Sequence, residues 1–324
     1  MILFTNSIQR AQNYKNLFDP STLHMRGKLQ AMWYSPFDAR EINNFFTEGN
    51  SWQYSFAVPQ DVEGLIQLYG GKEVFASKLN ELFTTSSQTT GREQSDVTGL
   101  IGQYAHGNEP SHHMAYLFNY VGMPWKTQEL IHKICTEFYK NDPDGLIGNE
   151  DCGQMSAWYT LSAMGFYPVC PGNGEYVLGT PLFDEVTINL ENSKKFVIRS
   201  RKSESGNQKS FYVQSTKLNE KASTKSYLLH TDIMKGGQLE FTLNSQANKI
   251  WGINKNDLPH SKITDEPIAA VPYFDVNNNK FKDSLLVTIK SMDPASEVWY
   301  SVDDEPLAES KGDKRIDVEM RRDQ

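Results

Sequence analysis

The 324-residue sequence is poor in the features that mark most function classes. It has three cysteines, Cys135, Cys152 and Cys170, without CxxC spacing. They build no disulfide framework, and the odd count leaves at least one thiol free. No apolar run approaches the roughly 18–20 residues that a membrane-spanning helix needs. The start, Met1-Ile-Leu-Phe-Thr5, lacks the basic region and apolar stretch of a secretory signal. Positive charge is also short: 32 Lys and Arg face 40 Asp and Glu, net −8, with no basic cluster. A nucleic-acid partner is therefore a poor reading. GxGxxG, Walker, GxSxG and HExxH patterns are all missing, which removes nucleotide binding and the best-marked hydrolases.

Aromatic residues reach 12%, rich for a plain scaffold and common where flat apolar ligands such as sugar faces are bound. Up to about residue 168 the apolar spacing is helical. Asp61 is placed to cap a helix with Val62, Leu65, Ile66 and Tyr69 on one face, halted by Gly70-Gly71. Val74, Phe75, Leu79, Leu82 and Phe83 form the next inner stripe. Pro110 opens a helix through Met114, Leu117, Phe118 and Val121, closed by Gly122. Thr127 leads another through Ile131, Ile134 and Phe138, and Gln154 to Met164 forms the last, stopped by Gly165 and Pro168. Short loops between helices suggest antiparallel neighbours, as in a bundle or an α/α toroid.

After residue 170 the period changes to two. Val186–Leu190, Phe196–Ile198, Phe211–Val213 and Leu239–Leu243 alternate as half-buried strands, a small antiparallel β element over 171–258. Residues 259–272 read as a linker. Ser284–Ile289 and Glu297–Ser301 read as two strands of a partial β-sandwich-like unit over 273–324, whose polar tail from Lys311 has no closing strand.

Three loops pack polar and aromatic residues more densely than a connection requires. They are Thr47-Glu-Gly-Asn-Ser-Trp-Gln-Tyr54, His106-Gly-Asn-Glu-Pro-Ser-His-His113 and Gly148-Asn-Glu-Asp-Cys-Gly-Gln-Met-Ser-Ala-Trp-Tyr159. Each residue also has a plainer reading. Glu48 and Asp151 suit helix caps, and Trp52 and Trp158 suit a core. Adjacent His112 and His113 cannot present both rings to one metal. Asn141-Asp-Pro-Asp-Gly145 fits a turn as well as a calcium loop. Two carboxylates distant in sequence and close in space can divide acid and base work in glycosidic cleavage.

At these three motifs, together with Val58-Pro-Gln-Asp-Val62 and Gly165-Phe-Tyr-Pro168, the sequence resembles glycoside hydrolase family 92. These are calcium-dependent, inverting exo-α-mannosidases. The resemblance covers residues 1 to about 258, and the tail resembles the end modules of chitobiase-type glycosidases. It implies a mainly α fold with appended β structure: residues 1–170 as part of an (α/α)6 toroid-type barrel, the rest as above. It also implies that this chain is the C-terminal part of a longer, exported protein, periplasmic, cell-surface or secreted.

Matched residue by residue, Glu48 takes the general-acid position, with Trp52 and Tyr54 as neighbours that would raise its pKa, and Asp151 takes the base position. Asn149 stands where some members carry a second aspartate, with Glu150 the nearest substitute in supporting the base. Trp52, Tyr54, His106, His112 and Trp158 are expected at the sugar, and Gln53, Asn108 and Glu109 around Ca2+. The leading expectation is release of terminal mannose, α-1,2 linked, from N-glycans or mannans. A glycan-binding fragment that needs its N-terminal portion is the alternative. The barrel would be completed by a separate N-terminal polypeptide or a second copy. Helices lacking neighbours should leave the Val62/Leu65/Ile66/Tyr69 stripe partly exposed.

Overall fold

The computed structural model describes residues 2–191, 193–202, 210–264, 267–276, 281–282, 284–292, 296–301, 308–309 and 316–321. Helices α1 (Ile2–Ala11), α2 (Ser51–Tyr54), α3 (Val62–Leu68), α4 (Lys72–Thr84), α5 (Pro124–Glu137) and α6 (Gln154–Met164) make up the first half, with α7 (His230–Met234) beyond. Their boundaries have local causes. The Asp61 side chain accepts the Gly64 N–H at the start of α3. Gly165, at φ 101°, ends α6 in the left-handed region that glycine enters freely.

Burial follows the expected stripes with two exceptions. Phe75, Leu79 and Leu82 of α4 are fully buried, whereas Val74 points outward at 40% exposure. The stretch Met114–Val121 is a 3₁₀ helix, with Met114 to Tyr120 all buried rather than one stripe. A tighter helix with apolar residues on every side fits a segment that runs through the core. The stripe expected to be bare is covered: Val62, Leu65, Ile66 and Tyr69 are at most 6% exposed, and belong to one core with Phe18, Phe56, Phe75 and Trp158.

The helical half also carries short strands that no periodicity announces, including Phe18–Asp19 with His24–Met25, Glu41–Ile42 with Thr90–Gly91, and Leu100–Ile101 with Tyr104–Ala105. Two-residue strands are too short to show an alternation.

Beyond residue 170, a five-stranded sheet runs in the order Glu185–Asn189, Lys195–Lys202, Gly237–Asn244, Tyr212–Leu218, Lys221–Ser223. It was expected to be antiparallel and is mixed, because Lys195–Lys202 and Gly237–Asn244 pair in parallel. The last strand returns through α7 and inserts between two hairpins, so it enters from the same end as its neighbour. Phe196, Ile198, Leu239, Phe241 and Leu243 form its core face.

The C-terminal unit is not built from C-terminal residues alone. Ile316–Arg321, Ser284–Lys290, Tyr273–Asp275, Met32–Trp33 and Lys28–Leu29 make one sheet. Ile316–Arg321 is a closing strand, paired antiparallel with Ser284–Ile289, where none was expected. Ile316, Val318 and Met320 alternate with charged residues as in a half-buried strand, a period-two signal inside a highly charged tail that the sequence reading passed over. The Lys28 ammonium sits 4.2 Å from the centre of the Trp33 ring and 5.0 Å from that of Tyr273, joining the two ends of the chain. Residues between this unit and the mixed sheet lie along α3: Ser261 donates to the Pro59 carbonyl, and the Glu63 N–H donates to the Ser261 carbonyl.

Candidate active site

Three loops meet on one side of the helical half. The first leads into α2. Asn50, fully buried, caps α2 by accepting the Gln53 N–H, and the Gln53 carboxamide oxygen accepts the Asn50 N–H at 2.9 Å. The Asn50 amide donates to Gln103 Oε1 at 2.8 Å, and Gln53 Nε2 donates to the Gln103 carbonyl at 2.9 Å. Gln103 in turn donates to the Ser86 and Gln88 carbonyls. This buried amide network, together with buried Gly49, holds Glu48 at the surface. Glu48 is exposed, with φ 52°.

The second segment, residues 106–113, lies beneath. Its approach to the neighbouring turn is close, since a Cβ on Gly107 would fall 1.9 Å from Thr98 Oγ1. Asn108 Nδ2 donates to the Glu48 carbonyl at 2.8 Å. Tyr54 stacks on Phe46 and donates to the Thr47 carbonyl. Burial raises the Tyr54 pKa, and the nearby Glu48 carboxylate adds to the rise, so phenol and carboxylate are neighbours.

The third loop precedes α6. Asp151, Cys152 and Gly153 all have positive φ, at 56°, 57° and 99°. Left-handed non-glycine residues carry strain that surrounding bonds must hold. Here the Glu150 carboxylate accepts the Gly153 and Ser156 N–H groups, and the Asp151 carbonyl accepts the Gln154 N–H. These bonds favour the charged form of Glu150 and lower its pKa. Asn149 donates to Asp96 Oδ1 at 3.1 Å.

Segment 106–113 connects the other two loops. Four residues after Asn108, His112 lies close enough to Asp151 for its charge to favour the imidazolium. Burial acts the other way and wins, so the His112 pKa falls to about 4. The neutral ring donates through Nε2 to the His106 carbonyl, and Nδ1 accepts from Gln154. Asp151 is itself exposed. Segment 106–113 thus touches the Glu48 loop at Asn108 and lies near Asp151 at His112.

The four other residues expected at the sugar lie under this surface. His106 and Trp158 are fully buried, His112 is 2% exposed and Trp52 6%. His106 is held between the Tyr104 and Tyr139 hydroxyls, Trp158 donates to the His112 carbonyl, and Trp52 packs edge-on against His24. Of the group, Tyr54 alone stands partly exposed. Reading the sequence missed Asn50, Gln103, Asp96 and Gln154 as parts of the frame; the Asn50–Gln53 spacing marks a helix cap, but no local spacing marks the partners Gln103 and Asp96 that lie far along the chain. The Asn141–Gly145 segment is a turn, with the Lys140 N–H donating to the Gly145 carbonyl. All three cysteines are free thiols, and burial pushes Cys135 up to about 12.

Residues 4–245 match the glycosyl hydrolase family 92 catalytic domain, three quarters of the chain. The chain belongs to glycosyl hydrolase family 92. An α-mannosidase of this family from Bacteroides thetaiotaomicron is 40% identical and superposes with a TM-score of 0.70, over 78% of this chain and 33% of that one. An inverting mannosidase of the family from the same organism is 37% identical, with a TM-score of 0.69 over 79% of this chain and 36% of that one. A protein of Arthroderma benhamiae named as an uncharacterized secreted glycosidase is 28% identical over 214 residues, 66% of this chain and 26% of its own length. This family 92 chain therefore spans about a third of the solved relatives and about a quarter of the fungal one.

The calcium expected from the family can be weighed against the donors present. Asn108 turns its amide nitrogen to Glu48, which leaves Oδ1 on the other side of the carboxamide. The Glu109 carboxylate beside it is exposed, and Ser111 Oγ nearby is buried without a hydrogen-bond partner. Hard, neutral and anionic oxygens of this kind suit calcium. Gln53 is different, because its carboxamide is 3% exposed and bonded on both ends within the α2 cap. Among the described residues no group of three or more His, Cys, Asp or Glu could hold a metal ion. Asn108 and Glu109 thus fit a calcium site as part of a ligand set.

Proposed function

We propose that this chain carries the acid and base of an exo-α-mannosidase that removes terminal mannose, α-1,2 linked, from N-glycans or mannans with inversion. The observation that carries the reading is the bridge through residues 106–113: Asn108 holds the Glu48 loop while His112 faces Asp151. Two exposed carboxylates, each tied to the one segment 106–113, are what single displacement calls for, in which about 6.5–9.5 Å separates acid and base to admit a water. Glu48 protonates the departing glycosidic oxygen. Asp151 takes a proton from water attacking the opposite face of the sugar, with Asn149 beside it and Glu150 holding its loop. Tyr54 stands at the rim near Glu48, and Trp52, His106, His112 and Trp158 form the layer that keeps both loops in place. Calcium, which Asn108 and Glu109 would hold in part, would supply positive charge at the sugar hydroxyls and favour ring distortion toward the transition state.

The same reading assigns residues 1–170 to part of an (α/α)6 barrel, 171–258 to its β closure, 259–272 to a connection and 273–324 to an end module. A separate polypeptide or a second copy would complete the barrel. The relative named as secreted supports export, and no helix among the described residues is long and apolar enough to cross a membrane. The test is mannose release from α-1,2-linked mannobiose, with calcium and then with chelator. Calcium-dependent release that Glu48→Gln abolishes is the expected result. Release unaffected by Glu48→Gln overturns the acid assignment, and indifference to chelation overturns the metal.

A further inference from the structure

Asp96 lies outside the three motif loops, yet it is tied to the base side of the site. Asp96 Oδ1 accepts the Asn149 amide at 3.1 Å. Its Oδ2 accepts Gln94 Nε2 at 2.7 Å and Ser95 Oγ at 3.2 Å, so three donors fix the carboxylate. The turn that carries it is anchored to the site's own backbone. The Thr98 N–H donates to the Asp96 carbonyl, and the Gly107 N–H donates to the Thr98 carbonyl. A Cβ on Gly148 would lie 2.7 Å from Thr98 Oγ1, so the 96–98 turn and the loop bearing Asn149 are in contact.

This contact decides which way Asn149 faces. Carboxylate oxygens only accept, so the amide atom turned toward Asp96 must be the nitrogen. The carboxamide is planar, so Oδ1 is then an acceptor on the far side, on an exposed residue two positions before Asp151. A water that gives one proton to a base has a second hydrogen, which needs its own acceptor to set the direction of attack. Without Asp96, the Asn149 amide could rotate and present a donor instead. Glu150, the other polar neighbour, is already engaged with the Gly153 and Ser156 N–H groups.

We propose that Asp96 is a positioning residue that orients Asn149 as the second acceptor for the attacking water. The inference rests on the acid–base reading above. Its test compares mannose release by the chain with that of Asp96→Ala, Asp96→Asn, Asn149→Ala and the double variant Asp96→Ala/Asn149→Ala. Misplacement of a reacting group is worth about 10- to 100-fold. Asp96→Ala should lower kcat by that factor with KM within about two-fold, and Asp96→Asn should recover most of the loss, because its carbonyl oxygen can still accept from Asn149. The double variant should be no slower than Asn149→Ala alone, since both act by one route. Unchanged kcat in Asp96→Ala, an Asp96→Asn as slow as the alanine variant, or losses that multiply in the double variant each overturn the inference. Wild-type chain that releases no mannose overturns the acid–base reading and this one with it. Active wild type with an equally active Asp96→Ala overturns this one alone.

Discussion

The two sides of the site carry the same kind of residue, an exposed carboxylate in a left-handed backbone, but they are anchored differently. On the acid side, Asn50, Gln53 and Gln103 form a network with at most 3% exposure. On the base side, the loop leans on Glu150, which holds the α6 N-terminus from the surface, and on the exposed Asn149–Asp96 pair, over a buried floor of His112 and Trp158. Buried amide bonds are strong in low dielectric and expensive to leave unmade, whereas surface bonds compete with water. The comparison teaches that the acid is set by packing and the base by a polar surface lattice, with residues 106–113 common to both.

The largest effects should ignore this difference. Glu48→Gln and Asp151→Asn should each lower mannose release by about 10²- to 10⁴-fold, as loss of a general acid or base does. A variant of one that keeps turnover while the other loses it would break the pairing.

The next effect is shared by both sides. Burial lowers the pKa of His24, His112 and His113 to about 4, against 6.5 for the free side chain, and holds that of His106 well below its ordinary value. His24 and His113 stand on the acid side, against Trp52 and the Phe56 carbonyl, and His106 and His112 at the base side. The unfolded chain binds more protons than the folded one between these values. Stability should therefore be full above about pH 6.5 and fall as pH drops toward 4, by up to about 1.4 kcal/mol per pH unit for each imidazole. Urea midpoints measured across pH 4–7 test this, and a flat profile would contradict the neutral buried rings.

The contrast itself is sharpened by alanine at one amide on each side. Asn50→Ala strands buried partners and should cost about 2–3 kcal/mol. Asn149→Ala, exposed, should stay within about 0.5 kcal/mol while affecting turnover. Equal losses in chemical denaturation would erase the distinction drawn above. Glu150→Ala loses two bonds to backbone N–H groups at the α6 N-terminus that are only partly shielded from water, and should show a fall in Tm short of that of Asn50→Ala.

Much of the helical half was legible. Gly70-Gly71, Gly122 and Gly165 stop elements where expected, and Asp61 caps α3, because capping and left-handed stops are set by neighbours in the chain. The motif loops were legible as loops, and Glu48 and Asp151 as candidate acid and base within them, whereas their exposure came only with the structure. The roles of Trp52 and Trp158 were open between ligand platform and core, and burial places both in the interior. The partners that fasten the site were not legible. Asn50 meets Gln103 across 53 positions and Asn149 meets Asp96 across 53, and no local pattern encodes such pairings.

Sequence by itself determined α3, α4 and α6, with the glycine stops after α3 and α6, the change to strand period after residue 170 and the motifs that mark family 92, since each depends on residues a few positions apart. Tertiary structure alone decided that the sheet is mixed, that Met32 pairs with Phe274, that the Val62 stripe is covered, and that Asn108 and His112 hold the two carboxylates in relation. The physical reason is range. Backbone propensity and capping act within a turn or two, whereas burial and long-range hydrogen bonds depend on which surfaces the folded chain brings together.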